Sequence, residues 1–323
     1  MQQEIRQSVK FHYFALLVAF SLIGCLFLTV TENNEEQKLK KRRIIYILDK
    51  DNSEEYDFGG NLTQRLPKAL IIGAKKCGTA ALIEFINIHP RIRISHTEIH
   101  FFDNNETYVR GYGWYRSQLP LSKPNQITIE KSPKYFVSKP APLRIHEMNS
   151  TIKLILIVRD PVQRAISDYV HIRFAHHAHD SDLPPFESLA IDNATGKVNT
   201  EWAPIKVGMY AQNLQRWLKV FPREQILVVS GEILIEDPLM VVEQVEDFLG
   251  LEPLITKEHF FFNEERGFMC SKNFQMTRNK CMHEAKGREH PDVDQKVLAK
   301  LKEFYKPFNE EFYKMAGINF GWK

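Results

Sequence analysis

The sequence predicts an α/β fold: a P-loop-like three-layer sandwich in which helices cover both faces of a central parallel sheet. Three observations predict it. Apolar runs of strand length alternate with segments of helical period from residue 66 to the end, the pattern of parallel strands joined by crossover helices. The run Lys153–Val158 shows no polar alternation, as in a strand buried on both faces. Finally, two strand–turn–helix units about eighty residues apart, at 70–79 and 154–167, each carry a turn suited to phosphate.

In chain order, Ala69–Gly73 is an apolar strand. Residues 79–89 are helical, with Ala81, Leu82, Phe85 and Ile86 at helical spacing, and stop at Pro90. Residues 126–130 and Lys153–Val158 are strands, and 161–174 a helix. Residues 209–220 are helical, with Leu214, Trp217 and Leu218 on one face. A strand at 225–230, a helix at Pro238–Leu249 and an amphipathic helical stretch at 292–316 close the domain. Ligands of such sheets bind beyond the carboxyl ends of the strands, where both phosphate-directed turns fall.

The 323 residues and 43% apolar content suffice for one substantial core. A net charge of only +3 means that any polyanion must be bound by local clusters. An apolar run at 13–31 follows Arg6 and Lys10, is long enough to span a bilayer, and is stopped by Glu32, Asn33, Asn34, Glu35 and Glu36. The reading is a cytoplasmic tail (1–12), a signal-anchor (13–31), a polar stem (32–65) and a lumenal domain (66–323). A cleaved signal peptide is the alternative, since Ser21, Gly24 and Cys25 are small residues late in the run. Lys38, Lys40, Lys41, Arg42 and Arg43 run against the positive-inside rule. Asn-x-Ser/Thr sites at Asn61, Asn105, Asn149 and Asn193 favour a secretory lumen together with the leader. With Cys25 in the span and Cys77 in the phosphate turn, Cys270 and Cys281 remain as a disulfide pair, two free thiols being the alternative.

The stretch Gly73-x4-Gly78-Thr79 has a P-loop frame, in which backbone N–H groups and a helix N-terminus face an anion. A nucleoside-triphosphatase loop needs Lys directly after the second glycine and then Ser/Thr on Mg²⁺. Here Thr79 follows Gly78, Ala80 comes next, and Lys75 and Lys76 lie inside the loop, which disfavours a kinase or ATPase. A glycine-bracketed turn with surface lysines is the plainer alternative. The second unit, Arg159-Asp160-Pro161 followed by Arg164 and Ser167, offers an arginine and a hydroxyl to another phosphate. Two phosphate grips in one domain point to a nucleotide phosphorylated at two places.

Glu98, His100 and Asp103 form a compact polar group among Ile99, Phe101 and Phe102. In a strand, Glu98 and His100 project to the same side. The group suits general-base chemistry on a hydroxyl; a surface carboxylate beside a hydrogen-bonded histidine is the bland alternative. Zinc held by His96, Glu98 and His100 finds no completing ligand at recognisable spacing.

The phosphate loop and Arg159-Asp160-Pro161…Ser167, with the strings at 98–103, 129–136 and 286–291 (Glu-Ile-His-Phe-Phe-Asp, Ile-Glu-Lys-Ser-Pro-Lys-Tyr-Phe and Lys-Gly-Arg-Glu-His-Pro), resemble the sulfotransferases. These use 3′-phosphoadenosine 5′-phosphosulfate (PAPS). The closer resemblance is to the heparan sulfate glucosamine 3-O-sulfotransferases, especially the isoform 1 and 5 branch, over nearly the whole stretch 68–322. It implies Glu98 as catalytic base, supported by His100 and Asp103, and Lys76 on the bridging oxygen of the donor. It also implies Gly78, Thr79, Arg159, Ser167, Lys286, Gly287 and Arg288 as donor ligands, with Tyr210 near the donor, and Lys75, Lys131, Lys280 and His283 as saccharide contacts. The implied partners are heparan sulfate and, through the anchor, a Golgi membrane; no metal and no nucleic acid are implied. Cys77 stands where the family has a loop glycine, its side chain either tilting the loop or facing solvent; Ala80 replaces an arginine and Lys134 an alanine. Sulfation at another position, or a catalytically weak heparan-sulfate-binding protein, are the competing readings.

Overall fold

A computed structural model of the chain describes residues 60–177, 183–272, 281 and 290–322. The tail, the anchor and all but the end of the stem lie outside the described residues, among which no helix is long and apolar enough to cross a membrane.

The first strand, β1 (Thr63–Gln64), falls in the last residues of the stretch read as stem; it pairs antiparallel with β4 (Leu121–Ser122). Strands β2 (Ala69–Gly73), β3 (Ile92–Ile94), β5 (Ile127–Lys131), β6 (Lys153–Val158) and β7 (Ile226–Ser230) form a parallel sheet in the order β3-β5-β2-β6-β7. The α/β architecture is therefore the one predicted. All of β2 is buried, so its sequence is an unbroken apolar run, as a central strand covered on both faces requires.

Helix α1 (Thr79–Ile86) buries Leu82, Ile83, Phe85 and Ile86. It ends short of the predicted residue 89, because Ile88 and His89 turn back onto the carbonyls of Phe85 and Ile86, a tighter spacing than the α-helix allows. Short helices α2 (Asn105–Tyr108) and α3 (Gly111–Ser117) precede β4, and α4 (Ala141–Met148) precedes β6. Helix α5 (Pro161–His177) follows β6 and outruns its predicted end. After α6 (Phe186–Ala190) and α7 (Ala203–Val207) comes α8 (Tyr210–Leu218), whose Trp217 Nε1 donates to the Phe136 carbonyl (3.0 Å). Helices α9 (Gly231–Glu236) and α10 (Pro238–Leu249) follow β7. The hairpin β8 (Phe260–Asn263) and β9 (Phe268–Ser271) precedes the long α11 (Gln295–Ala316), which packs on α8 and α5, while α10 packs on α1. Cys270 and Cys281 are joined as a disulfide, Cα atoms 4.7 Å apart.

Strand order places the chemistry. Strands β2 and β6 are neighbours, so the turns leaving them toward α1 and α5 lie side by side at one sheet edge. On the other side of β2, β5 ends there with Lys131. Gly73 ends β2 where a Cβ would lie 2.6 Å from Phe136 Cβ and 3.1 Å from the Pro133 carbonyl, which excludes any larger residue.

Candidate active site

The loop between β2 and α1 is held from beneath. Arg164 on α5 is fully buried and donates through Nη1 to Asp168 Oδ2 (3.0 Å) and to the Lys75 carbonyl (3.3 Å), and through Nη2 to the Pro204 carbonyl. Asp168 also receives Lys75 Nζ at 2.9 Å. Burial pushes the Asp168 carboxyl up, but the charges of Arg164 and Lys75 outweigh it, so the group stays below its ordinary range. Of the two arginines in the second unit, Arg159 therefore faces the cleft, while Arg164 props the loop.

Gly78 adopts φ 101° just before α1, a conformation open to glycine. An added Cβ would also lie 3.3 Å from Leu234 Cδ2. Gly78→Ala is expected to lower stability by about 1–3 kcal/mol, which thermal melts check. Lys76, at φ 71°, and His100, at φ 54°, are the two non-glycine residues with positive φ among the described residues, and both were singled out from sequence. Such conformations persist only where surrounding contacts impose them, and they cluster at functional sites.

Cys77 neither faces solvent nor stands apart from the core. It is 2% exposed, its Sγ lies 3.5 Å from the Tyr210 hydroxyl, and burial pushes the thiol up to about 11. Tyr210 in turn donates to the Arg159 carbonyl (2.8 Å) and is buried behind the loop, so it supports the cleft without lining it. The buried thiol occupies a place where a loop glycine would leave Tyr210 partnered only by Arg159.

The segment 98–103 is not a strand, contrary to the expectation that placed Glu98 and His100 side by side by alternation. The two still meet, because His100 takes the left-handed conformation. His100 Nε2 lies 3.5 Å from Glu98 Oε2, and Nδ1 lies 3.1 Å from Asp103 Oδ2. Lys131 reaches from the end of β5 to Glu98 Oε1. Asp103, with a side chain 1% exposed, also lies 3.7 Å from Lys134 Nζ. Hydrogen bonds that His100 donates to Asp103 and Glu98 raise it to about 9, so the imidazole is a cation at neutral pH. Burial pushes the Glu98 carboxyl up, but hydrogen bonds and charge from His100 and Lys131 prevail and hold it at about 2. The linkage signs follow. The Glu98 contribution to stability is present above its unfolded value and lost as pH falls toward 2; that of His100 is present below its unfolded value and lost as pH rises through 9. Tm is accordingly expected to hold from mildly acid to neutral pH and to drop from pH 7 to 10 by more in the native chain than in His100→Gln, which a melt series checks.

One cleft of about 930 Å³ gathers Lys75, Lys76, Gly78, Thr79, Arg159 and Ser167 from the two turns with Glu98, His100 and Lys134. Asp103 and Lys131 stand just behind its wall, in contact with His100 and Glu98. Lys280, His283, Lys286, Gly287 and Arg288 lie outside the described residues. His171, which sequence reasoning passed over, also lines the cleft, as does His290 of the 286–291 string, which was given no role of its own. His171 sits one helical turn after Ser167 on α5, so its spacing was the available signal. The site thus sets cations from two strand ends beside a carboxylate held by a histidine, at a helix N-terminus, an arrangement that fits a phosphorylated donor and a hydroxyl acceptor.

Comparison with known proteins gives the same answer from another direction. The family model described as "Sulfotransferase domain" matches residues 66–319. Heparan sulfate glucosamine 3-O-sulfotransferase 5 of Mus musculus is 46% identical over 283 residues, covering 87% of this chain and 82% of that protein. The 3B1 enzyme of Homo sapiens is 48% identical over 267 residues (82% and 67%), and the human 6 enzyme 48% over 260 (80% and 74%). Among solved structures, a sulfotransferase from Alicyclobacillus acidocaldarius shares the fold, with TM-score 0.60 at 21% identity over 79% of this chain and 97% of that one. The chain belongs to the sulfotransferases, and within them to the heparan sulfate glucosamine 3-O-sulfotransferase family.

Proposed function

We propose that this chain transfers a sulfuryl group from PAPS to the 3-hydroxyl of glucosamine residues in heparan sulfate, with Glu98 as general base. The observation that carries the reading is that Lys76, Arg159 and Ser167 open onto the same cleft as Glu98 and His100. The cleft is of a size to enclose a nucleotide and a sugar residue. Arg159 and Ser167 take the 3′-phosphate, and Gly78 and Thr79 take the 5′-phosphate at the start of α1. Lys76 faces the bridging oxygen and balances the charge that collects there. Glu98 accepts the proton of the 3-hydroxyl as its oxygen bonds to sulfur and the bond from sulfur to the bridging oxygen breaks.

A carboxyl held at about 2 is a poor base, so Glu98 must be released when the acceptor binds. Lys131 supplies the release. It pairs with Glu98 in the free protein, and a sulfated saccharide draws it away together with Lys75, returning basicity to Glu98. Asp103 keeps the His100 cation oriented toward Glu98 throughout. Lys280 and His283 extend the saccharide contact, and Lys286, Gly287 and Arg288 close over the donor. The 13–31 anchor places the domain in the Golgi lumen, where the Cys270–Cys281 disulfide and glycans on the Asn-x-Ser/Thr sites are at home.

The test is transfer of labelled sulfate from PAPS to heparan sulfate, followed by disaccharide analysis. Label at the glucosamine 3-hydroxyl supports the reading. Label at an amino group or 6-hydroxyl reassigns the position, and no transfer by folded protein removes the activity.

A further inference from the structure

Beneath the 98–103 segment lies a carboxylate that the reaction above does not use. Glu130, on β5, has no exposed surface. Its Oε1 accepts from Ser132 Oγ (2.5 Å) and from the Ile99 amide (3.5 Å), and its Oε2 accepts from the Tyr115 hydroxyl (3.3 Å). The Tyr135 hydroxyl stands close enough to favour its charged form. Ser132 Oγ, which donates to Glu130, in turn accepts from His100 N (3.0 Å), and the neighbouring Tyr135 oxygen accepts from Phe101 N (3.0 Å). Three consecutive N–H groups, at 99, 100 and 101, are thus met by one carboxylate and by two hydroxyls beside it. From the other side, Thr107 Oγ1 donates to the His100 carbonyl (2.6 Å). Among the described residues no strand pairs with this backbone; side chains hold it, and they hold His100 in its left-handed conformation.

We infer that Glu130 is a positioning residue for the base: as a carboxylate it makes Ser132 an acceptor for the 100 amide, which fixes His100 between Glu98 and Asp103, and protonating Glu130 releases that grip and stops transfer. The inference rests on the function proposed above. The geometry demands the ionised form, because each contact to Glu130 comes from a donor. A proton on Oε1 would face the Ser132 O–H and the Ile99 N–H, so the Ser132 hydroxyl would have to turn and its contact with the His100 amide would loosen. Burial pushes Glu130 up to about 7, while the bonds from Ser132, Tyr135, Ile99 and Tyr115 pull against it, so its proton exchanges near neutrality. The titratable groups facing it are Tyr115 from α3 and Tyr135 from the short helix Pro133–Val137. Burial and then the Glu130 charge hold both phenols well above their ordinary value, so neither exchanges in that range. The β2 residue in register with it, Leu70, is apolar.

The acid limb of the rate is therefore assigned to Glu130 and not to Glu98. The experiment is a kcat profile for the full chain and for Glu130→Gln, at saturating PAPS and heparan sulfate, from about pH 5.5 to 8.5. The native rate is expected to halve near pH 7 and to fall about tenfold one unit lower. Glutamine does not titrate and offers one acceptor in place of two, so its plateau is expected about 10- to 100-fold lower, with no acid limb and a donor KM close to native, while the unpaired donor lowers Tm by several degrees. An acid limb retained at the native midpoint would overturn the inference, whereas absence of transfer by the native chain would overturn the function it rests on. Should Glu130→Gln fail to fold, Ser132→Ala removes the acceptor of the His100 amide together with one donor to Glu130. A kcat about tenfold down with unchanged donor KM supports the inference, and a native kcat overturns it.

Discussion

Glu98→Gln is expected to reduce sulfate transfer by about 10²–10⁴-fold in kcat, the range that a positioned general base supplies. Glutamine keeps the size of the side chain and can still accept from Lys131 or His100, so the loss is confined to proton acceptance. The donor contacts proposed for Lys76, Arg159 and Ser167 are untouched, and the donor KM and the affinity for the bisphosphate product are expected to stay within about twofold. Single-turnover transfer with calorimetric titration of the product separates these effects. A variant that retains more than about a tenth of the native kcat would assign the proton to another group. The pairing of Glu98 with His100 and Lys131 adds a second expectation: Lys131→Met raises the free Glu98 carboxyl toward its ordinary value, because the charge and hydrogen bond that depress it are lost. Its damage is therefore expected in saccharide KM more than in the chemical step.

The largest stability effect is expected at Arg164. Its guanidinium is fully buried, and removing it in Arg164→Met leaves Asp168 buried with Lys75 as its remaining cation. Breaking one half of a buried ion pair costs about 3–5 kcal/mol, which for a domain of this size lowers Tm by about 10 °C. The sign with pH is fixed by the depressed Asp168 carboxyl. Its contribution is present above the unfolded value and lost as pH falls through the folded one, so the gap between native and variant melts narrows in acid. Because Arg164 also holds the Lys75 carbonyl, the variant is expected to bind donor more weakly even where it is folded. Equal melting temperatures at neutral pH would show that the pair is not a support of the loop.

Much of this fold could be read from local pattern. Strands β2 and β6 are unbroken apolar runs because both faces are covered, and the turns after them carry the glycine, lysine and arginine that an anion needs. Strand β3 and the β8–β9 hairpin escaped the reading, since three or four residues are too short to display a period. Of the residues singled out from sequence, Lys76, Glu98, His100, Arg159 and Ser167 line one cleft. The reasoning for Glu98 and His100 was not, since alternation along a strand is not what joins them.

What the sequence determined by itself is the type of each long element and the identity of the chemical groups, because propensity, period and side-chain pKa class are local properties. Tertiary structure alone decided which groups touch. Nothing near Arg164 marks it as the buried prop and Arg159 as the cleft-facing arginine; the packing of α5 under the loop does. Nothing near Cys77 points to Tyr210, 133 residues away. Likewise the left-handed turn at His100 exists because Ser132, Tyr135 and Thr107 reach its neighbouring amides and carbonyl from other segments. A conformation that costs energy locally is stable only when contacts from elsewhere in the chain supply more, and such contacts form no pattern along a sequence.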